Sequence, residues 1–169
     1  MGDACRKGGE WVESVKSLFR EELIFMTDLQ TQEEVFAYIG DTLLQKGLVK
    51  KGFTESILER EKNYPTGLDL NPVADDMPNV AIPHTETEYC NDKAVVFVKL
   101  DRNIPFRNMI EPDRELTVKY LFFIVNHEKN SQTNILSELI EFMTNREHMK
   151  KLESLKGKKE IYDFLTSAQ

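Results

Sequence analysis

The sequence predicts an α/β protein, a single domain whose mixed sheet is flanked by helices on both faces. Three observations carry that expectation. Ala94-Val95-Val96-Phe97-Val98-Lys99-Leu100 and Tyr120-Leu121-Phe122-Phe123-Ile124-Val125 are nearly unbroken apolar runs, as expected of strands buried on both sides. Thr31-Gln32-Glu33-Glu34 matches a capping box and opens an amphipathic run. Ile135, Leu136, Leu139, Ile140 and Met143 recur at helical spacing. A chain of 169 residues has room for one sizeable core, and it contains no internal repeat, low-complexity tract or linker.

Taken in order, residues 1–16 read as an N-terminal extension, helical from Glu10 or frayed, ahead of a domain over 17–169. The extension has no apolar segment of secretory type. Arg6 breaks the myristoylation pattern that Gly2 would begin. Glu22-Leu23-Ile24-Phe25-Met26 reads as a strand. The capping box starts a helix over 32–46, in which Val35, Phe36, Ile39, Leu43 and Leu44 share a stripe and Gly47 supplies the stop. Thr54 is expected to cap a second helix over 55–63, with Ile57 and Leu58 inward. Tyr64-Pro65-Thr66-Gly67-Leu68 breaks it, and 71–79 reads as a loop. Residues 80–83 form a short buried strand, stopped by Pro83, which lacks an amide hydrogen. After the two apolar strands, helices follow over 132–144, from 145 with Met149 and Leu152 inward, and over 158–165 with Ile161, Phe164 and Leu165 packed.

Forty per cent hydrophobic and thirty per cent charged residues describe an ordinary globular composition. A net charge of −7 argues against sequence-independent nucleic-acid binding and against an anionic membrane surface. No apolar run approaches the roughly 20 residues of a membrane span. Two distant cysteines, Cys5 and Cys90, form no disulfide framework or paired metal motif, which fits a reducing cytoplasm.

The candidate chemistry centres on Val80-Ala81-Ile82-Pro83-His84-Thr85, a strand that delivers an imidazole at its end. If the next residues stay extended, His84, Glu86 and Glu88 share a face and form a possible metal set. A solvated acidic turn is the plainer reading. His127, after the second apolar strand, is either a second active-site group or a loop histidine, and His148 is expected in solvent. Cys90 has no basic cluster around it to activate a thiolate. Walker loop, nucleophile elbow and dinucleotide fingerprint are all missing from the sequence.

Several motifs occur in order: the capped helix from Thr31 ending in Leu48-Val49; Arg60-Glu61 followed by Tyr64-Pro65-Thr66-Gly67-Leu68; Ile82-Pro83-His84-Thr85; Pro105-Phe106-Arg107-Asn108-Met109; and the buried strand leading to Ile135-Leu136-Ser137-Glu138-Leu139. Over about 20–165 the chain thereby resembles enzyme IIA of the sugar phosphotransferase system, fructose/mannitol class, closest to the galactitol-type branch. The resemblance implies a phosphotransferase component of sugar uptake with His84 as the phosphorylated residue. The HPr phosphocarrier protein would be the donor. A cysteine of a separate IIB component, itself coupled to the membrane IIC, would be the acceptor. It implies no cofactor, no metal, no membrane insertion and a cytoplasmic location. Thr66, the Gly67 backbone and Gln132 become candidate donors to the phosphoryl oxygens, and Arg60 a candidate charge.

One departure stands out. Gln132 takes the place where many family members carry a second histidine, offering amide hydrogens without charge; His127 lies close in sequence as a substitute. Two rivals follow: a regulatory IIA homologue acting as a phosphorylation-dependent binding module, and a metal-dependent hydrolase built on His84, Glu86 and Glu88.

Overall fold

The computed structural model describes residues 15–167. In chain order its elements are β1 (Phe19–Thr27), α1 (Gln32–Gln45), α2 (Phe53–Asn63), β2 (Gly67–Leu68), β3 (Val80–Ala81), β4 (Lys93–Arg107), β5 (Glu115–Asn126), α3 (Gln132–Met143), α4 (Arg146–Ser154) and α5 (Lys158–Ser167). The strands form one sheet in the order β1-β4-β5-β3-β2. β1 runs parallel to β4 and β3 parallel to β5, while β4–β5 and β2–β3 are antiparallel, so the sheet is mixed as expected.

The unbroken apolar runs divide by strand alternation. Ala94, Val96, Val98, Leu121, Phe123 and Val125 face Val35, Phe36, Ile39 and Leu43 of α1 and Phe53 and Ile57 of α2. Val95, Phe97, Tyr120, Phe122 and Ile124 face the opposite layer, built from α3, α4 and α5. Helices on both faces are what allow both sets to be apolar.

Local chemistry sets the helix ends. The Glu34 amide donates to Thr31 Oγ1 at 3.1 Å and Glu34 Oε1 accepts from the Thr31 amide at 3.2 Å, closing the capping box. At the other end of α1, Gly47 has φ +78. Its amide donates to Leu44 O and that of Leu48 to Leu43 O, both at 3.0 Å, the Schellman pair. Leu44, expected inward, is exposed at the edge of the stripe.

Four expectations are corrected. Gly52, at φ +92, is the N-cap of α2, so the helix begins before Thr54, whose hydroxyl instead abuts Gly40 of α1. The strand at 80–83 ladders only over Val80 and Ala81. Ile82 donates to Thr66 O and Pro83 has no hydrogen to offer, though its carbonyl accepts from Ile124 at 3.0 Å. The apolar strands extend beyond their runs into one long hairpin, with Ile104 opposite Val118 and Phe106 opposite Leu116. His148 is not free in solvent: its ring stacks on Phe142 at 4.4 Å and its Nδ1 lies 3.0 Å from Phe142 O. The expected extension lies, up to residue 14, outside the described residues, and Val15 is already buried in the second core layer.

Candidate active site

His84 leaves the sheet at the C-terminal end of β3, beside the parallel strand β5. Its Nδ1 lies 2.8 Å from Ile82 O. A carbonyl only accepts, so the proton sits on Nδ1 and the lone pair is on Nε2. The accepting carbonyl belongs to the Ile82–Pro83 bond, which Pro83 leaves without an N–H of its own. The ring is half-buried. That burial, and then the charge of Arg60, hold its pKa below the ordinary 6.5, against the Ile82 hydrogen bond and Glu86, which pull it up. The ring is therefore neutral and carries a nucleophilic nitrogen near neutral pH.

Helix α2 frames this ring. Ser56 and Arg60 lie one turn apart on it. Ser56 shares a hydrogen bond with the buried Thr85, and Arg60 Nη1 donates to Glu86 Oε2 at 2.8 Å. The Arg60 guanidinium also lies 5.1 Å from the Tyr64 ring centre. An open groove of about 620 Å³ runs beside these residues, lined in part by Glu55, Glu59, Tyr64 and Tyr89. Thr87–Tyr89 form a 3-10 turn, so the chain after Glu86 is not extended and the premise of a His84, Glu86, Glu88 face is not met. Among the described residues no cluster of three or more His, Cys, Asp or Glu side chains is placed to hold a metal ion.

The next residue of α2, Glu61, is 4% exposed. Its Oε2 accepts from the Thr66 amide and its Oε1 from the Thr66 hydroxyl, both at 2.8 Å. Burial pushes its pKa from 4.5 up to about 7 although these bonds and Arg60 favour the ionised form. The Thr66 amide and hydroxyl are thus both engaged by the Glu61 carboxyl, and what Thr66 offers the site is set by that contact. Gly67 is buried between β3 and the β4–β5 hairpin; a Cβ there would sit 2.5 Å from Arg107 O. Its carbonyl accepts from the Met109 amide at 2.7 Å.

Gln132 opens α3, just past the end of β5. The buried Asn126 donates from Nδ2 to Gln132 Oε1 at 2.9 Å, which leaves the Gln132 amide hydrogens to be offered outward. His127 is exposed, and the charges it acts on are those of Asp92 and Glu128. Asp92 leads into β4, whereas His84 stands on the β3 side of β5, so His127 is turned to the opposite flank. Cys90 is buried and burial raises its thiol, consistent with an inert packing role. The sequence reading missed Ser56 and Asn126. Neither hydroxyl nor amide has a pattern of its own in the chain, and each acquires its partner only when strands and helices distant in sequence meet.

The sequence matches the family model for the phosphoenolpyruvate-dependent sugar phosphotransferase system, EIIA 2, over residues 17–168. The chain belongs to this family. As an EIIA chain it is a component of a phosphotransferase system, as its motifs implied. It is 25% identical over 105 residues to the galactitol-specific EIIA component of Escherichia coli (strain K12), a match that covers 62% of this chain and 66% of the relative's length. The fold is similar to that of enzyme IIA in the complex of IIA mannitol with phosphorylated IIB mannitol from Escherichia coli. There the TM-score is 0.67, with 21% identity over 88% of this chain and 98% of that one. It is equally similar to the nitrogen regulatory protein IIA-Ntr from Neisseria meningitidis, with a TM-score of 0.67 and 18% identity over 90% of this EIIA chain and 99% of that one. No helix among the described residues is long and apolar enough to cross a membrane.

Proposed function

We propose that this EIIA chain accepts a phosphoryl group from phospho-HPr on His84 Nε2 and passes it to a cysteine of a IIB component, for uptake of a galactitol-type sugar through IIC. The observation that carries the reading is the Nδ1–H bond to Ile82 O, which leaves Nε2 as the nucleophile on a neutral ring. In the first step the Nε2 lone pair forms the new P–N bond. The P–N bond to the donor imidazole breaks, and the donor nitrogen keeps that pair. The positive charge then on the His84 ring is shared with Ile82 O through the retained Nδ1 proton. In the second step an acceptor thiolate attacks phosphorus, and Nε2 recovers its pair.

The transferring group spreads charge over three oxygens, so the protein's part is placement and hydrogen bonding. Gln132 supplies amide hydrogens and Arg60 supplies charge. Thr66 and Gly67 act by holding the strand edge next to the ring. The groove along α2 gives the partners an open approach, and the reaction takes place in the cytoplasm without metal or cofactor.

The test is reconstitution with enzyme I, HPr and phosphoenolpyruvate, read by intact mass and by phosphohistidine mapping. The chain gains one phosphoryl group and a His84→Gln variant gains none; a phosphorylated variant overturns the assignment. Gln132 in place of a second imidazole favours one competing reading, a regulatory IIA whose phosphorylation state controls another protein. Adding a cognate IIB separates the two, because a regulator keeps its phosphoryl group.

A further inference from the structure

The Glu61 carboxyl is poorly placed by every ordinary criterion. It is buried, and it sits in the last turn of α2, where the helix dipole disfavours negative charge. What it does there is hold both polar groups of Thr66 across the helix-to-strand turn. From Thr66 a continuous path of hydrogen bonds leads to the reactive ring. Thr66 O accepts from the Ile82 amide at 3.3 Å, and Ile82 O accepts from His84 Nδ1 at 2.8 Å. Gly67 pairs with Ala81 in the same short ladder.

We propose that Glu61 is a positioning residue for phosphoryl transfer: by gripping Thr66 it fixes Ile82, whose carbonyl sets the tautomer and the aim of His84. This rests on the reading of His84 as the phosphoryl carrier.

The physical need is specific. In water a neutral imidazole favours the proton on Nε2, the wrong tautomer for attack from that nitrogen. The structure reverses the preference with one acceptor, Ile82 O, and an acceptor does this only if it stays within hydrogen-bond reach and in line. The ladder that carries Ile82 is two residues long on the β2 side and ends at a proline, so few bonds of its own hold it. The Glu61–Thr66 clamp is the element that anchors its free side to α2. Both links survive replacement of the carboxylate by a carboxamide: one oxygen still accepts from the Thr66 amide, and the NH2 donates to Oγ1.

The experiment compares Glu61→Ala, Glu61→Gln and Thr66→Val in the full chain. Two readouts are taken: the 15N tautomer signature of the His84 ring, and the single-turnover rate and half-saturation for transfer from phospho-HPr. In Glu61→Ala the ring is expected to shift toward the Nε2–H tautomer. The transfer rate should fall on the order of tenfold or more, with half-saturation unchanged, because partner contacts are untouched. Glu61→Gln restores both readouts, and Thr66→Val, which keeps the amide bond and loses only the hydroxyl, falls between. If Glu61→Ala does not fold, Thr66→Val alone decides, since a wild-type tautomer and rate in that variant overturn the proposal. A folded Glu61→Ala with wild-type tautomer and rate overturns it too. If the wild-type chain takes no phosphoryl group, the carrier reading falls, and the tautomer signature still tests the clamp.

Discussion

Stability against pH gives Glu61 a signature that no surface carboxylate shares. Its pKa is raised from 4.5 to about 7 by burial. A group that binds its proton more tightly folded than unfolded adds stability that is complete below the unfolded value and is lost as pH climbs through the folded one. The window is therefore about pH 4.5 to 7. At about 1.4 kcal/mol per unit, the loss across it amounts to about 3 kcal/mol, a large share of a domain's total. His84 works with the opposite sign: its pKa is lowered, so its contribution disappears as pH falls below about 6.5. The wild-type curve alone mixes the two. Subtracting it from the curve for Glu61→Gln, which keeps His84 but cannot titrate at 61, isolates the buried carboxyl. Urea unfolding from about pH 4.5 to 8 is the assay. The variant is expected to gain about 3 kcal/mol on the wild type across that range, with no further change above it. A difference that stays constant with pH refutes the argument.

Gly67→Ala places a Cβ 2.5 Å from Arg107 O and 2.8 Å from Leu116 Cδ2, and backbone atoms cannot yield as a side chain does. A loss of about 2 to 3 kcal/mol is expected, and an unchanged thermal midpoint contradicts it. Lys99 Nζ donates to the carbonyls of Leu152, Glu153 and Leu155 at the end of α4. Lys99→Met is expected to cost about 2 kcal/mol in urea unfolding and to speed amide exchange in α4 first. An NMR titration of His84 should show its inflection below 6.5, and Arg60→Gln should move that inflection upward by removing the second cause of the shift. An inflection at or above 6.5 in the wild type counts against the site as described.

The layering was legible because it rests on composition alone. Residues 94–98 and 120–125 are apolar at odd and even positions alike, and only a sheet with two covered faces accommodates that. The ends of α1 were equally plain, since Thr31, Glu34 and Gly47 carry their geometry in their own side chains or the lack of one. His84 itself was visible as an imidazole after a proline at a strand end. What surrounds it was not. Glu61 stands between Arg60 and Lys62 and reads as one more charge on a solvated helix; its burial is decided by where β2 and the hairpin lie. Thr54 has the residue type of a cap, but the left-handed Gly52 ends the preceding loop first. The polar outer arm of the hairpin, Asp101 to Asn103 exposed before Ile104 turns in, gave no apolar run by which to extend β4. His148 lies in a charged stretch that suggests solvent exposure, yet it is held by Phe142, six residues back.

The parallel pairing of β3 with β5 has a consequence for the order of assembly. When His84 is added to the growing chain, the strand that flanks it in the fold, from Glu115 onward, has not yet been made, and neither has Gln132. A chain interrupted anywhere in between therefore has the His84 imidazole but not the strand whose Ile124 amide holds Pro83 in place. On the proposed function, a chain stopped short of the start of α3 holds His84 without the Ile124 amide that binds Pro83 O and without Gln132, so its phosphoryl transfer is expected to be impaired.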